Sequence, residues 1–189
     1  MDAVSLLTAD HNRVRGLFAR FQTAEEADDT VQMMELAAKI IVELEVHATI
    51  EEEIFYPAIQ GADEELKDTV DEGIEEHHVA KTLMEEIKTL TPEDDAWVAK
   101  MKVLIESVEH HAGEEEEEMF PETRKNFDKA ALEGLGTQLE ARKAELGVPT
   151  AADKEHLSTE ELKELAKEQE IPGRSSMDRE ELVATVDPA

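Results

Sequence analysis

The sequence predicts an all-α fold: an up-down four-helix bundle, a fifth helix, and a small carboxy-terminal helix–loop–helix. Three observations carry that expectation. Apolar residues recur at helical spacing almost everywhere, and alternating β-branched runs are few. Glycine and proline are scarce, 8 and 6 in 189 residues, and sit mostly at apparent element ends. The chain also nearly repeats itself: His47-Ala-Thr-Ile-Glu51-Glu-Glu-Ile-Phe-Tyr-Pro57 is echoed by His111-Ala-Gly-Glu-Glu115-Glu-Glu-Glu-Met-Phe-Pro121. Two similar helical hairpins packed together make a four-helix bundle.

The first helix is expected from Ser5 to Glu26, with Leu7, His11, Val14, Phe18 and Phe21 on one stripe. The second runs from Thr30 to Tyr56, with a stripe of Ile40, Leu44, His47, Glu51 and Ile54 or Phe55. Pro57 should end it, because proline lacks an amide hydrogen and restricts the residue before it. The third spans Asp63 to Leu90 and aligns Val70, Ile74, His77, Met84 and Ile87. Thr91-Pro92-Glu93-Asp94 reads as a turn and helix start. The fourth helix then runs from Pro92 to Glu118 or a little beyond, through Leu104, Val108, His111, Glu115 and Met119. A fifth, Asp128 to Leu146, meets a stop signal in Gly147 and Pro149.

These elements fill a domain over residues 1–147. Residues 148–156 read as a linker, and 157–189 as a helix–loop–helix. There Ser158 and Glu161 form a capping box, Ile171-Pro-Gly-Arg-Ser-Ser breaks the pattern, and a short helix starts near Met177. A unit of about 30 residues is only marginally stable alone.

Composition narrows the function. The net charge of −29 argues against a general nucleic-acid or anionic-membrane surface and permits attraction of cations. The chain has no cysteine, which excludes disulfides, zinc–thiolate sites and thiol catalysis. A histidine/carboxylate site remains open to iron, manganese or zinc. The start lacks a signal-peptide pattern, and no run of about 18 apolar residues exists, so a cytoplasmic protein without a membrane span is expected. No serine triad, phosphate loop or paired-acid glycosidase pattern competes.

The chemistry lies in the repeat. Residues four apart share a helix face, so an imidazole and a carboxylate at that spacing can close on one metal ion. Having the pair twice suggests two pseudo-symmetric half-sites. His11 precedes His47 by 36 residues and His77 precedes His111 by 34. The order His, His-x-x-x-Glu, His, His-x-x-x-Glu nominates His11, His47, Glu51, His77, His111 and Glu115, all within apolar stripes. Two divalent cations, together with a bridging hydroxide, would offset two buried carboxylates that are costly to leave charged. His78 and His110 lie about 100° off the stripe, and His156 falls outside the pattern. Only His111 repeats the ten-residue spacing from His47 to its proline. Glu116, one residue beyond Glu115, could compete with it.

The set Asp10-His11, His47-x-x-x-Glu51-Glu-x-x-x-Tyr-Pro57, Glu76-His77 and His111-x-x-x-Glu115-Glu-x-x-x-Phe-Pro121 resembles the hemerythrin-like proteins with an HHE cation-binding domain. The resemblance covers about residues 1 to 145. It implies a bundle holding two iron ions in an oxo- or hydroxo-bridged non-haem centre, in preference to manganese or zinc. Glu51 and Glu115 would bridge the irons and the four histidines would be terminal ligands. Oxygen-carrying hemerythrins have a further histidine one turn before the position of His77, where this chain has Gly73, and an aspartate in place of Glu115. That shifts the expectation from an oxygen carrier towards a centre with an open position that water, peroxide or a side chain could fill. Tyr56 is a candidate for that approach, with a core or boundary aromatic the blander reading.

The implied ligands are O2, peroxide or nitric oxide, and catalase-like peroxide decomposition is one activity to expect. An apolar shell of Leu44, Ile54, Leu104, Val108 and Met119 would limit water access. The second reading is an iron- or oxygen-responsive binding module without turnover. The third is a metal-free bundle. The segment from Leu157 also resembles the Rho-terminator amino-terminal or SAP-like helix–extension–helix, whose relatives often bind nucleic acid. That would nominate Lys163, Lys167, Arg174 and Arg179. Acidic neighbours and the absence of aromatic residues there favour a stabilising or protein-contact role.

Overall fold

The computed structural model describes residues 1–148, 154 and 157–186. Helix α1 (Ala3–Glu26) begins at Asp2, whose carboxylate accepts from the Ser5 amide at 3.0 Å. Helix α2 (Thr30–Ile50) begins likewise at Asp29, through the Gln32 amide at 3.0 Å. Both side chains satisfy first-turn amides that have no partner inside the helix. A π-turn (Glu51–Phe55) then leads into α3 (Tyr56–Ile59), so the second bundle helix passes through Pro57 instead of stopping there.

The reason is local. The Tyr56 amide donates to the Glu51 carbonyl five residues back. An ordinary α-turn would crowd the proline ring against the carbonyl four residues back. The wider turn relieves that clash, and the chain continues helically. Such π-turns are rare and concentrate at functional sites.

The second hairpin repeats the device. Helix α4 (Glu64–Lys88) leads to α5 (Asp95–Glu114), which starts three residues later than expected. The Asp94 carboxylate accepts from the Thr91 amide at 2.8 Å and closes the turn at 91–94 first. A second π-turn (Glu115–Met119) carries the chain into α6 (Phe120–Asn126), with the Phe120 amide bonded to the Glu115 carbonyl. Helix α7 (Lys129–Glu145) is the expected fifth helix and ends before Gly147, which takes a φ of +85°. On α4, Ile74 is 40% exposed, against expectation, while Gly73 faces inwards. The buried face runs through Val70, Gly73 and His77, one residue round from the expected stripe.

The core is divided. One apolar cluster includes Val14, Phe18, Leu44, Met84, Met101 and Leu104. The other includes Leu7, Ile50, Phe55, Val70, Met119 and Phe120. Between them, at residues 10–11, 47–51, 73–77 and 111–115, lies a polar layer crossing all four long helices.

Helices α8 (Thr159–Glu168) and α9 (Arg179–Thr185) form the carboxy-terminal unit, each opened by a capping box, Ser158 with Glu161 and Asp178 with Glu181. Their small core of Leu162, Ala166, Ile171, Leu182 and Val186 docks on α1. Gly16 permits the approach: a Cβ there would stand 2.5 Å from the Gln169 carbonyl oxygen. Arg13 donates to the Thr185 carbonyl at 2.9 Å, and Lys154 to those of Val183 and Val186 at 2.9 and 2.8 Å. Two buried cations thus close the C-terminal end of α9, where the helix dipole favours positive charge. Most of the expected linker, including His156, and residues 187–189 lie outside the described residues. No helix among the described residues is long and apolar enough to cross a membrane.

Candidate metal centre

The polar layer brings together His11, His47, Glu51, His77, His111 and Glu115. All six are buried. Helix α1 supplies one histidine, α4 another, and α2 and α5 each a histidine followed one turn later by the first residue of a π-turn. His11, His47, Glu51 and Glu115 bring ligand atoms within 4.8 Å of one another, as do Glu51, His77 and His111. Glu51 belongs to both groups: its Oε1 lies 3.2 Å from His47 Nε2 and its Oε2 3.3 Å from His77 Nε2. Glu115 Oε2 lies 3.2 Å from His11 Nε2 and 3.7 Å from His111 Nε2.

Three of the imidazoles are hydrogen-bonded from behind by a carboxylate that sequence reasoning did not assign, and the fourth, His47, faces one. His11 Nδ1 donates to Glu116 at 2.8 Å, His77 Nδ1 to Glu52 at 2.9 Å, and His111 Nδ1 to Glu76 at 2.7 Å. Asp10 stands 3.6 Å from His47 Nδ1, an ion-pair distance. Each of these acids sits next to one of the six in sequence, which was the available signal. Glu116 therefore faces the outside of His11, and Glu115 faces inwards. Such partners fix the tautomer and aim Nε2 at the centre.

The donor set fits a cation. With Nδ1 carrying the proton, the inward Nε2 atoms present lone pairs. Yet His11 Nε2 and His47 Nε2 are 3.1 Å apart, and His77 Nε2 and His111 Nε2 are 3.0 Å apart. Both oxygens of Glu51 and Oε2 of Glu115 are buried with no hydrogen-bond partner. Lone pairs facing lone pairs around buried carboxylates need positive charge between them. Proton affinities tell the same story. Burial alone would lower the His47 and His111 values, but Glu51 and Asp10 hold His47 well above its ordinary value. Glu115 and Glu76 push His111 up to about 9. Burial would raise Glu51, but His47 and His77 hold it well below the usual carboxylate range.

Tyr56 belongs to this site. Its hydroxyl donates to Glu115 Oε1 at 2.9 Å, and its ring stacks on His77 with centroids 5.6 Å apart. Burial and the charges of Glu51 and Glu115 push its pKa well above the ordinary phenol value, so the proton stays on. A Cβ on Gly73 would come within 3.0 Å of that hydroxyl and 3.4 Å of His111 Cε1. The space opened at position 73 is thus partly taken by Tyr56. His78 and His110 are exposed and stay out of the centre.

On the side of Val14, Leu44, Met84 and Val108, a cavity of about 30 Å³ touches all four histidines. It is large enough for a water or a diatomic molecule.

The hemerythrin HHE cation binding domain model matches residues 2–123. The chain belongs to that family. Cation binding goes with that membership, and the His/Glu layer is where this chain can provide it. A DNA nickase from Nostoc sp. is 28% identical over 151 residues, 77% of this chain and 40% of that protein. This chain thus spans well under half of that relative's length. Rv2633c of Mycobacterium tuberculosis, named only as uncharacterized, is 27% identical over 150 residues, 75% of this chain and 85% of that one. The crystal structure of a hemerythrin HHE cation binding domain-containing protein, the Rv2633c homolog from Mycobacterium kansasii, is similar at a TM-score of 0.66 and 21% identity. That likeness covers 98% of this chain and 99% of that one and concerns the fold alone. The Rho- or SAP-like reading of residues 157–189 finds no support among these likenesses.

Proposed function

We propose that the chain holds two iron ions in a non-haem centre that binds or reacts with O2, peroxide or nitric oxide. The observation carrying this reading is the pair of buried carboxylates, Glu51 and Glu115, with three unpartnered oxygens among four inward Nε2 atoms. Glu51 and Glu115 would span the two ions, with His11 and His47 on one side and His77 and His111 on the other. A pair of ferrous ions supplies two electrons to one small oxidant.

The chain's own residues do the rest. Asp10, Glu52, Glu76 and Glu116 hold the imidazoles in place. The apolar walls of the cavity admit a diatomic molecule and keep bulk water out. Tyr56 keeps a proton at its hydroxyl, directed at Glu115. Catalase-like decomposition is the activity to test first: two peroxide molecules give one O2 and two waters. Iron-reconstituted protein should hold two irons per chain, show near-ultraviolet charge-transfer bands, and evolve O2 from peroxide at a sustained rate. Absence of bound iron after reconstitution would overturn the reading.

One observation favours a sensing module. Asp10, behind His47, lies 3.6 Å from the Arg13 guanidinium, which closes the end of α9. Iron occupancy could then bias how firmly the carboxy-terminal unit docks. Reversible spectral change with O2, no peroxide turnover, and iron-dependent protease resistance of that unit would select this reading. A nucleic-acid role for the unit draws only on the name of the Nostoc relative. Against it, Lys167 pairs with Glu164, and Arg174 and Arg179 donate to backbone carbonyls. A gel shift at low salt should find no binding.

A further inference from the structure

The outer carboxylates are not equally supported. Lys143 and Arg13 back Asp10, Lys81 backs Glu52 at 2.6 Å, and Arg15 backs Glu116 at 2.8 Å. Glu76 alone has no lysine or arginine partner among the described residues. It has His110, whose Nε2 lies 3.7 Å from Glu76 Oε1 and 3.3 Å from Glu114 Oε1. Glu76, His110 and Glu114 bring their ligand atoms within 4.8 Å of one another, forming a third group outside the buried layer.

This group stands beside a pocket of about 40 Å³ between α4 and the end of α5. Glu72, Glu76, Glu114 and Glu118 contribute to its wall, and no lysine or arginine does. Deeper in the same wall are Gly73, His111 and Glu115. Glu115 is 2% exposed, and its Oε2 has no hydrogen-bond partner. The pocket therefore joins a half-exposed cluster of His and Glu side chains to a buried carboxylate with one unpartnered oxygen, the other accepting from Tyr56. Gly73 adds no side chain to it, and the Tyr56 hydroxyl lies just beyond Gly73, bonded to Glu115. Glu76 belongs to both ends, because its other oxygen holds His111.

We propose that Glu76, His110 and Glu114 form a loading site for divalent cations, from which a captured ion passes by Gly73 to Glu115 and His111. The inference rests on the proposed two-metal centre and adds a route into it. Carboxylates and one imidazole replace part of the water shell of a ferrous ion in stages, and the concentrated negative charge raises the local cation concentration. The apolar cavity on the other side of the histidines suits neutral molecules. Cations and gaseous ligands thus have separate approaches.

The test is the rate of ferrous ion uptake by metal-free full-length protein under anaerobic conditions, followed by loss of a coloured ferrous–chelator complex. The double variant His110→Ala/Glu114→Gln should load about tenfold more slowly, with less dependence on ionic strength, and reach the same final iron content. A control of equal charge, His78→Ala/Glu35→Gln, alters exposed residues away from the pocket and should load at the wild-type rate. Loading by both doubles at the wild-type rate would overturn the route and leave the centre standing. Equal slowing of both doubles would also overturn it, because general charge would then explain the effect. Wild-type protein that takes up no iron would overturn the centre and the route together.

Discussion

The two halves of the buried His/Glu layer have nearly the same motif and different surroundings. Around His11 and His47, the supporting acid Asp10 is buried and tied to Lys143 and Arg13. Around His77 and His111, the matching acid Glu76 is half-buried and faces His110 at the surface. His11 stacks on Phe120 and His77 on Tyr56, aromatics that follow the two π-turns at the same position. One oxygen separates them, and it reaches Glu115. Repetition supplied two similar His/Glu sets. Their neighbours gave one half a buried supporting acid tied to cations and the other a half-buried acid facing the surface.

The largest effects should come from the inward histidines. His47→Ala and His111→Ala should each lose most of the bound metal, read by metal analysis after reconstitution. Retention of one ion per chain by either variant would mean that the halves load independently. Next comes the contrast between supporting acids. Asp10→Asn leaves Lys143 buried without its charge partner and should cost the metal-free protein about 3 kcal/mol in denaturant unfolding. Glu76→Gln should cost under about 1 kcal/mol, because its surroundings are wetter. Equal losses would remove the distinction between the two supporting acids. Tyr56→Phe makes the second half resemble the first. It should lower stability by about 1 kcal/mol and keep both metals, since it removes one hydrogen bond to Glu115 and no inward nitrogen. Smallest of all, His110→Ala should leave the final metal content unchanged. Metal loss matching that of His111→Ala would put the wrong histidine in the centre.

Much of this was legible because helix phase and proline spacing are strict. His47 and Glu51 on one face, and the same ten-residue count from His111 to Pro121, singled out the inward residues from among seven histidines. The supporting acids were harder to see. Glu52 and Glu116 lie in acidic runs, where a solvated face is the ordinary reading, and only packing against the neighbouring helix gives each a histidine. The hydroxyl of Tyr56 had no periodic signal at all. The passage through Pro57 and Pro121 was missed because proline normally stops a helix, and nothing in residue type announces a wider turn. Ile74 was misplaced by one position because Gly73, without a side chain, does not register in an apolar stripe.

Those wider turns impose a rule about length. Each lies between an inward glutamate and a proline, so each half-site counts residues as well as choosing them. Removing one residue between Glu51 and Pro57 would restore ordinary winding and return the proline ring to the carbonyl it avoids. It would also swing Tyr56 by about 100° away from Glu115. The exposed side chains of those turns, such as Glu53 and Glu117, are therefore free to drift, while Glu51, Glu52, Phe55, Glu115, Glu116 and Met119 are not. Insertions and deletions there are not, and the two halves can diverge in chemistry only while they keep the same count.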